Sequence, residues 1–138
     1  MTKVAVVILN YDGKQYLEKF LPKVIEKSEN ATIVVSDNKS TDDSVASLKE
    51  KFPSVKLIEL DKNYGFAGGY NESLKQVDSD YYVLLNSDVE VTDNWLDPML
   101  GFLETHSEYA SCQPKIKDYN NQNKFEYAGA CGGFIDRL

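Results

Sequence analysis

The sequence predicts an α/β domain of three layers, with a mainly parallel central sheet sandwiched between helices. Short apolar runs rich in β-branched residues alternate with segments whose apolar residues recur at helical spacing. That alternation implies right-handed crossovers and a parallel sheet covered on both faces. The 138 residues suffice for one domain with a substantial core, and 42% hydrophobic with 27% charged residues is an ordinary globular balance. Separate all-α and all-β parts would need the strand-like runs to cluster, and they do not.

The first run, KVAVVIL at 3 to 9, reads as a fully buried strand. After the polar turn NYDG, residues Tyr16, Leu17, Phe20, Leu21, Val24 and Ile25 mark the inner face of a helix. Pro22 is expected to kink or restart that helix, because proline lacks the N–H and crowds the preceding turn. ATIVVS, 31 to 36, is the second strand. Ser40 or Thr41 is expected to cap a helix with Asp42 and Asp43 in its first turn and Lys49 and Lys51 in its last, matching the dipole at both ends. VKLIEL, 55 to 60, is the third strand. A glycine-rich loop and a short helix through Leu74 and Val77 lead to the fourth, 81 to 85, whose apolar residues suit the middle of a sheet. Trp95, Met99, Phe102 and Leu103 form another apolar helical face, with Pro98 tolerable near its first turn. From about Ser111 the pattern weakens, and CQPKI and FEYAG read as short strands around the turn NNQN.

No apolar run reaches bilayer-spanning length and no basic-then-apolar segment opens the chain, so the default expectation is a cytoplasmic protein. Cys112 and Cys131 are too few and too far apart for a zinc cluster or a disulfide framework and read as buried free thiols. A net charge of −7 without a basic stripe argues against a nucleic-acid partner. It also means that a phosphate ligand needs a divalent cation or backbone N–H groups to supply a positive field.

Polar residues follow every strand: Asn10 to Gly13, Asp37 to Ser40, Asp61 to Gly69, and Asn86 to Asp88. In a parallel sheet these points share one edge, the carboxyl ends, where open α/β folds bind ligands. Each loop taken singly is merely polar, as loops are; four together point to one crevice. No G-x-G-x-x-G follows the first strand and no G-x-x-x-x-G-K-[ST] occurs, which argues against dinucleotide oxidoreductases and P-loop NTPases. The single histidine, His106, sits at a helix end, so Ser-His-Asp hydrolysis lacks a base. A lining of carboxylates, amides and hydroxyls suits a hard cation, Mg²⁺ or Mn²⁺, held by one or two carboxylates and substrate phosphate oxygens. Asp88 is the candidate ligand.

VAVVILNYDG, VVSDNKSTDDS, KNYGFAGGYN and LLNSDVEV, in this order, resemble the inverting glycosyltransferases of family 2, and the third block is most like its rhamnosyltransferase branch. The resemblance covers residue 3 to about 135. It implies the GT-A fold, a Rossmann-like three-layer α/β/α sandwich, with 1–138 as one nucleotide-sugar (donor) domain and the acceptor-binding part absent. It implies that Asn10 and Tyr11 line the base and ribose and that Asp37 hydrogen-bonds the base. Asn38 and Ser40 orient that loop, with a helix cap equally open. Gly65, Gly68 and Gly69 let backbone approach the nucleotide and adopt positive φ. Asn71 fixes the loop, Lys62 meets a phosphate, Asp88 binds the metal, and Asn86 contacts the donor, beside Ser87. NSD stands where the family has D-x-D, so Asn86 removes one carboxylate.

For a complete enzyme the resemblance implies a single displacement. A carboxylate takes the proton of an acceptor hydroxyl, which attacks the anomeric carbon of a UDP- or dTDP-linked sugar opposite the leaving diphosphate. The general base is expected beyond Leu138; Asp136 does not fit its motif. A glycan or lipid-linked acceptor, peripheral association with the inner face of a membrane and self-association are family-level expectations. Two other readings stay open: a nucleotide-sugar-binding fragment that catalyses nothing, and a metal-dependent nucleotidyl or phosphoryl transferase.

Overall fold

A computed structural model describes residues 2–127. The chain divides into two compact units, Met1–Asp93 and Asn94–Leu138. The first holds β1 (Val4–Asn10), α1 (Lys14–Glu26), β2 (Thr32–Asp37), α2 (Ser44–Lys51), β3 (Lys56–Glu59), α3 (Gly65–Leu74) and β4 (Tyr81–Asn86). Its four strands pair in the order β3-β2-β1-β4, all parallel.

Side chains alternate across the sheet, so each strand feeds two faces. Ala5, Val7, Val34, Ile58 and Leu60 form one core cluster with Tyr70 and Val77, under α3. Val6, Ile8, Ile33 and Val35 point the other way and are buried together with Leu17, Phe20, Leu21 and Val24 of α1. α1 and α2 are tied by Glu18, which accepts from Ser47 Oγ at 2.7 Å and Lys51 Nζ at 2.9 Å. The lysine bond and the hydroxyl bond together hold the Glu18 carboxyl below its ordinary value. The expected three-layer α/β architecture is therefore observed.

Several local expectations are corrected. α1 runs unbroken through Pro22, which lies on its exposed side, where solvent can replace the missing bond. Tyr16, expected on the inner face, is exposed. Ser40 and Thr41 cap nothing, because their side chains are committed to the first loop; α2 begins only at Ser44, whose N–H and hydroxyl both bond Asp42 Oδ1. The glycine-rich segment is the first part of α3 and not a loop, and only Gly65 has a positive φ, of 71°. α3 ends at Leu74, short of Val77. Gly69 is needed for packing: a Cβ there would lie 2.8 Å from both Leu9 methyls and 3.2 Å from Asn38 Nδ2. β4, expected in the middle of a sheet, pairs only with β1 among the described residues, and Tyr82 and Leu84 are 41% and 54% exposed.

In the second unit α4 (Asp97–Thr105) carries Pro98 in its first turn, as expected, but none of its residues is fully buried. His106 follows it, stacked on Phe102 at 4.4 Å, with Nδ1 3.0 Å from the Phe102 carbonyl. β5 (Ile116–Lys117) and β6 (Phe125–Tyr127) pair antiparallel; the strand expected at 112 to 116 is strand only at its last residue, and the one expected from Phe125 starts where it was read. Cys112 is exposed, contrary to the expectation of a buried thiol. Cys131 and Asp136 lie outside the described residues.

Gly69→Ala should destabilise the protein by about 1–3 kcal/mol from overpacking, offset by about 1 kcal/mol of helix propensity. In a Leu9→Ala background the same change should become neutral or stabilising, because the clashing methyls are gone. Urea unfolding of the four variants checks this sign change.

Candidate functional site

Strand register brings the loops together. Asn10 lies opposite Asp37 on β1 and β2, Asp37 opposite Glu59 on β2 and β3, and Leu9 opposite Asn86 on β1 and β4. α1 and α2 cover one face and α3 the other, and the strand order reverses between β1 and β4, the kind of switch point at whose carboxyl ends open α/β sheets bind ligands.

The first two loops are knotted around a buried carboxylate. Asn10 is 0% exposed and Asp37 3%. Asn10 Nδ2 donates to Asp37 Oδ1 at 3.0 Å and to Ser40 Oγ at 3.1 Å. Ser40 Oγ donates to Asp37 Oδ1 at 2.5 Å, and Ser40 N–H to Asp37 Oδ2 at 2.9 Å. Asp12, with φ of 51°, donates its N–H to Ser40 Oγ at 3.0 Å and accepts from Thr41 N–H at 2.6 Å and Asp42 N–H at 3.2 Å. The left-handed turn at Asp12 leaves Tyr11 52% exposed at the rim. Asn10 is therefore buried beneath the loops, bonded to both Asp37 and the half-buried Ser40. Its Oδ1 is buried with no hydrogen-bond partner, and a Cβ on Gly13 would stand 2.5 Å from it.

Asp42 closes the knot from the α2 side. Burial pushes its carboxyl up, but the Ser44 hydroxyl and the N–H groups of Ser44 and Lys14 outweigh this and hold it below the ordinary value.

Asn38 joins the second loop to the third. It is buried, its Nδ2 donates to Asn63 Oδ1 and the Gly65 carbonyl, both at 3.0 Å, and its Oδ1 accepts from Tyr64 N–H at 2.9 Å. Asn63 Oδ1 also takes the Gly65 N–H at 2.8 Å, so Asn63 fastens this loop, while Asn71 stands exposed on α3. Gly68 follows one turn into α3, where a Cβ would meet Tyr64 Cβ at 3.2 Å. Lys62 lies with its Nζ 4.8 Å from the centre of the Tyr64 ring. The Tyr64 hydroxyl donates to Asp61 at 2.8 Å, which raises its own pKa and lowers that of Asp61.

The fourth loop starts from β4. The Tyr70 hydroxyl bonds the Leu85 carbonyl at 3.1 Å, steadying the strand end. Asn86 and Asp88 are exposed and Ser87 is half-buried; Ser87 Oγ lies 3.6 Å from a Cβ placed on Gly13, next to the first loop. Beyond them Val91 is buried, Lys23 pairs with Glu90, and Lys27 pairs with Asp93 at 2.5 Å. Among the described residues no three His, Cys, Asp or Glu side chains gather to hold a metal. Asp88, with the Asn86 amide and Ser87 hydroxyl beside it, still offers hard oxygen donors. That set fits a cation whose other ligands are phosphate oxygens and water.

Sequence reasoning named Asp37, Asn38 and the glycines but overlooked Asp12 and Asn63. The D-G and N-Y-G contexts signal turns, yet nothing in spacing alone says which side chains bond across loops.

Asn38→Ala should cost about 1–3 kcal/mol by orphaning the Tyr64 N–H, and hydrogen exchange at that amide should quicken while β1 amides stay protected. Asp42 is depressed on folding, so its stabilisation is complete above the unfolded carboxyl value of about 4 and fades as pH falls through the lower folded value. Asp42→Asn should flatten that part of the acid limb in a pH series of melting temperatures.

The family model described as Glycosyl transferase family 2 matches residues 5–131. An uncharacterized glycosyltransferase of Haemophilus influenzae is 26% identical over 92% of this chain and 56% of its own length. An N-acetylglucosaminyl-diphospho-decaprenol L-rhamnosyltransferase of Mycobacterium tuberculosis is 23% identical over 82% of this chain and 41% of its own. The chain thus spans about half the length of these curated relatives. The crystal structure of Staphylococcus aureus TarS 1-349 in complex with UDP superposes with a TM-score of 0.65 at 22% identity, over 76% of this chain and 33% of that one. The mannosyltransferase PcManGT from Pyrobaculum calidifontis, in complex with GDP-Man and Mn²⁺, gives 0.60 at 22% identity, over 71% and 33%. The fold is that of the GT-A glycosyltransferases. The chain belongs to glycosyl transferase family 2.

Proposed function

We propose that this chain is the donor-binding part of a metal-assisted, inverting glycosyltransferase that moves a sugar from a nucleoside-diphosphate donor to an acceptor hydroxyl in cell-surface polysaccharide assembly. The carrying observation is Asp37. Its carboxylate is fixed by three donors, and one acceptor position on Oδ2 is left over. A position that only accepts selects a base edge that donates, such as the N3–H of uracil or thymine or the N1–H of guanine. Cytosine presents an acceptor there. Tyr11 at the rim can cover the base or ribose, and Asn38, by locking residues 63 to 65, shapes the wall that α3 presents. The UDP and GDP-Man complexes of the two structural neighbours support this class of ligand.

Asp88, with Asn86 and Ser87 beside it, would hold Mg²⁺ or Mn²⁺ against the diphosphate. Such a metal, when bound, offsets charge on the departing phosphate oxygen. The chain's own part is to place that carboxylate at the end of a hydrogen-bonded strand, which positions a ligand more sharply than a free loop. Lys62 supplies a cation at the same carboxyl-end rim, beyond β3 at the opposite edge of the sheet from β4. The Mn²⁺ in the mannosyltransferase complex supports the metal, as the rhamnosyltransferase relative supports a polysaccharide context.

Calorimetry with UDP, dTDP, GDP and CDP, each with and without Mn²⁺, tests the reading. UDP and dTDP should bind more tightly than CDP, by roughly 10- to 100-fold, the worth of one hydrogen bond to a charged group. Mn²⁺ should strengthen binding in the wild type, and Asp88→Ala should remove that gain while leaving the metal-free affinity and the melting temperature in place. Silence with every nucleoside diphosphate would overturn the reading.

A further inference from the structure

We propose that Ser40 is the positioning residue that gives Asp37 its choice of base; this rests on the nucleotide reading above. A serine hydroxyl has one hydrogen and two lone pairs. Both lone pairs of Ser40 Oγ are met by groups that can only donate, Asn10 Nδ2 at 3.1 Å and the Asp12 N–H at 3.0 Å. The hydrogen is thereby committed to Asp37 Oδ1, at 2.5 Å. The Ser40 N–H meanwhile holds Oδ2 at 2.9 Å. One residue grips both oxygens and fixes the plane of the carboxylate.

The orientation is redundant in its supports and strict in its result. Asn10 is itself buried and bonded to Ser40 as well as to Asp37, so neither amide nor hydroxyl can turn alone. Asp12 ties Ser40 to the first loop, and the N–H groups of Thr41 and Asp42 tie the second loop back to Asp12. The carboxylate keeps one open acceptor position pointing one way. Remove the hydroxyl, and the carboxylate gains a second open position, on Oδ1, while it loses a restraint on its rotation. A base edge then meets a less sharply aimed acceptor, and discrimination between donating and accepting edges falls.

The test is a ratio, which a purely structural role would not move. UDP and CDP affinities are measured by calorimetry for wild type, Ser40→Ala, Ser40→Thr, Asp37→Asn and Asp37→Asn/Ser40→Ala, with melting temperatures alongside. Ser40→Ala should weaken UDP about tenfold and leave CDP within about twofold, so that the preference collapses. Ser40→Thr, which keeps the hydroxyl, should restore it. In the Asp37→Asn background Ser40→Ala should change the ratio no further, since the two act as a unit. Should Ser40→Ala not fold, Ser40→Cys, with its weak S–H donor, carries the same expectation. Equal loss of both nucleotides, or an unmoved ratio in a wild type that prefers UDP, overturns this inference alone. A wild type silent with UDP, dTDP, GDP and CDP alike overturns the donor-site reading and this inference with it, and does so before any variant is made.

Discussion

A carboxylate inside a protein is costly unless donors replace the water it gives up, and the first unit is organised around meeting that cost at Asp37. The side-chain amide of Asn10, the hydroxyl of Ser40 and the backbone N–H of Ser40 converge on it. Two of these come from the loop that follows β2 and one from the end of β1. The bonds can form only if the two strands end level with each other, and the register Asn10 to Asp37 provides that. A slip of one residue would turn Asn10 to the α3 face and leave the charge unmet. The hydrophobic alternation of β1 and β2 and the polar knot at their ends therefore enforce the same register.

From this knot the remaining loops are reached in single steps. Asn38, the neighbour of Asp37, spans to Asn63, Tyr64 and Gly65. The close seating of α3 on β1 at Gly69 brings Tyr70 to the Leu85 carbonyl at the start of the fourth loop. Glu90 and Asp93 then fasten the far side of that loop to α1 through Lys23 and Lys27. Exposed ion pairs such as these contribute little stability; their value is in restricting where the loop can go. Burial and hydrogen bonding thus fall off from the first pair of loops outward to the exposed Asp88.

The layers and the parallel order were legible in the sequence because alternation of apolar periodicities reports burial directly. The convergence of four polar strand exits followed from topology alone. What the sequence concealed was the use of particular side chains. Ser40 looks like a helix cap, and serine at such a place usually is one; here Asp12 and Asp37 recruit it before the helix starts. Gly68 and Gly69 look like loop glycines, yet their need is for space against Tyr64 and Leu9, not for a left-handed backbone. β4 looks central because four apolar residues in a row suit two covered faces, whereas Tyr82 and Leu84 are largely open on one of them. Composition reports what a strand can tolerate and not which neighbours it receives.

The uneven wiring of the crevice has a consequence in solution. The Asp37 end is braced by neutral donors packed away from water, and such bonds are nearly indifferent to ionic strength. The opposite end depends on an exposed carboxylate and on lysine–carboxylate contacts at the surface, which counter-ions screen within about 10 Å at 0.1 M salt. Rising salt should therefore loosen the Asp88 end of the loop cluster long before it disturbs the knot around Asp37, so that the two ends come apart at different ionic strengths.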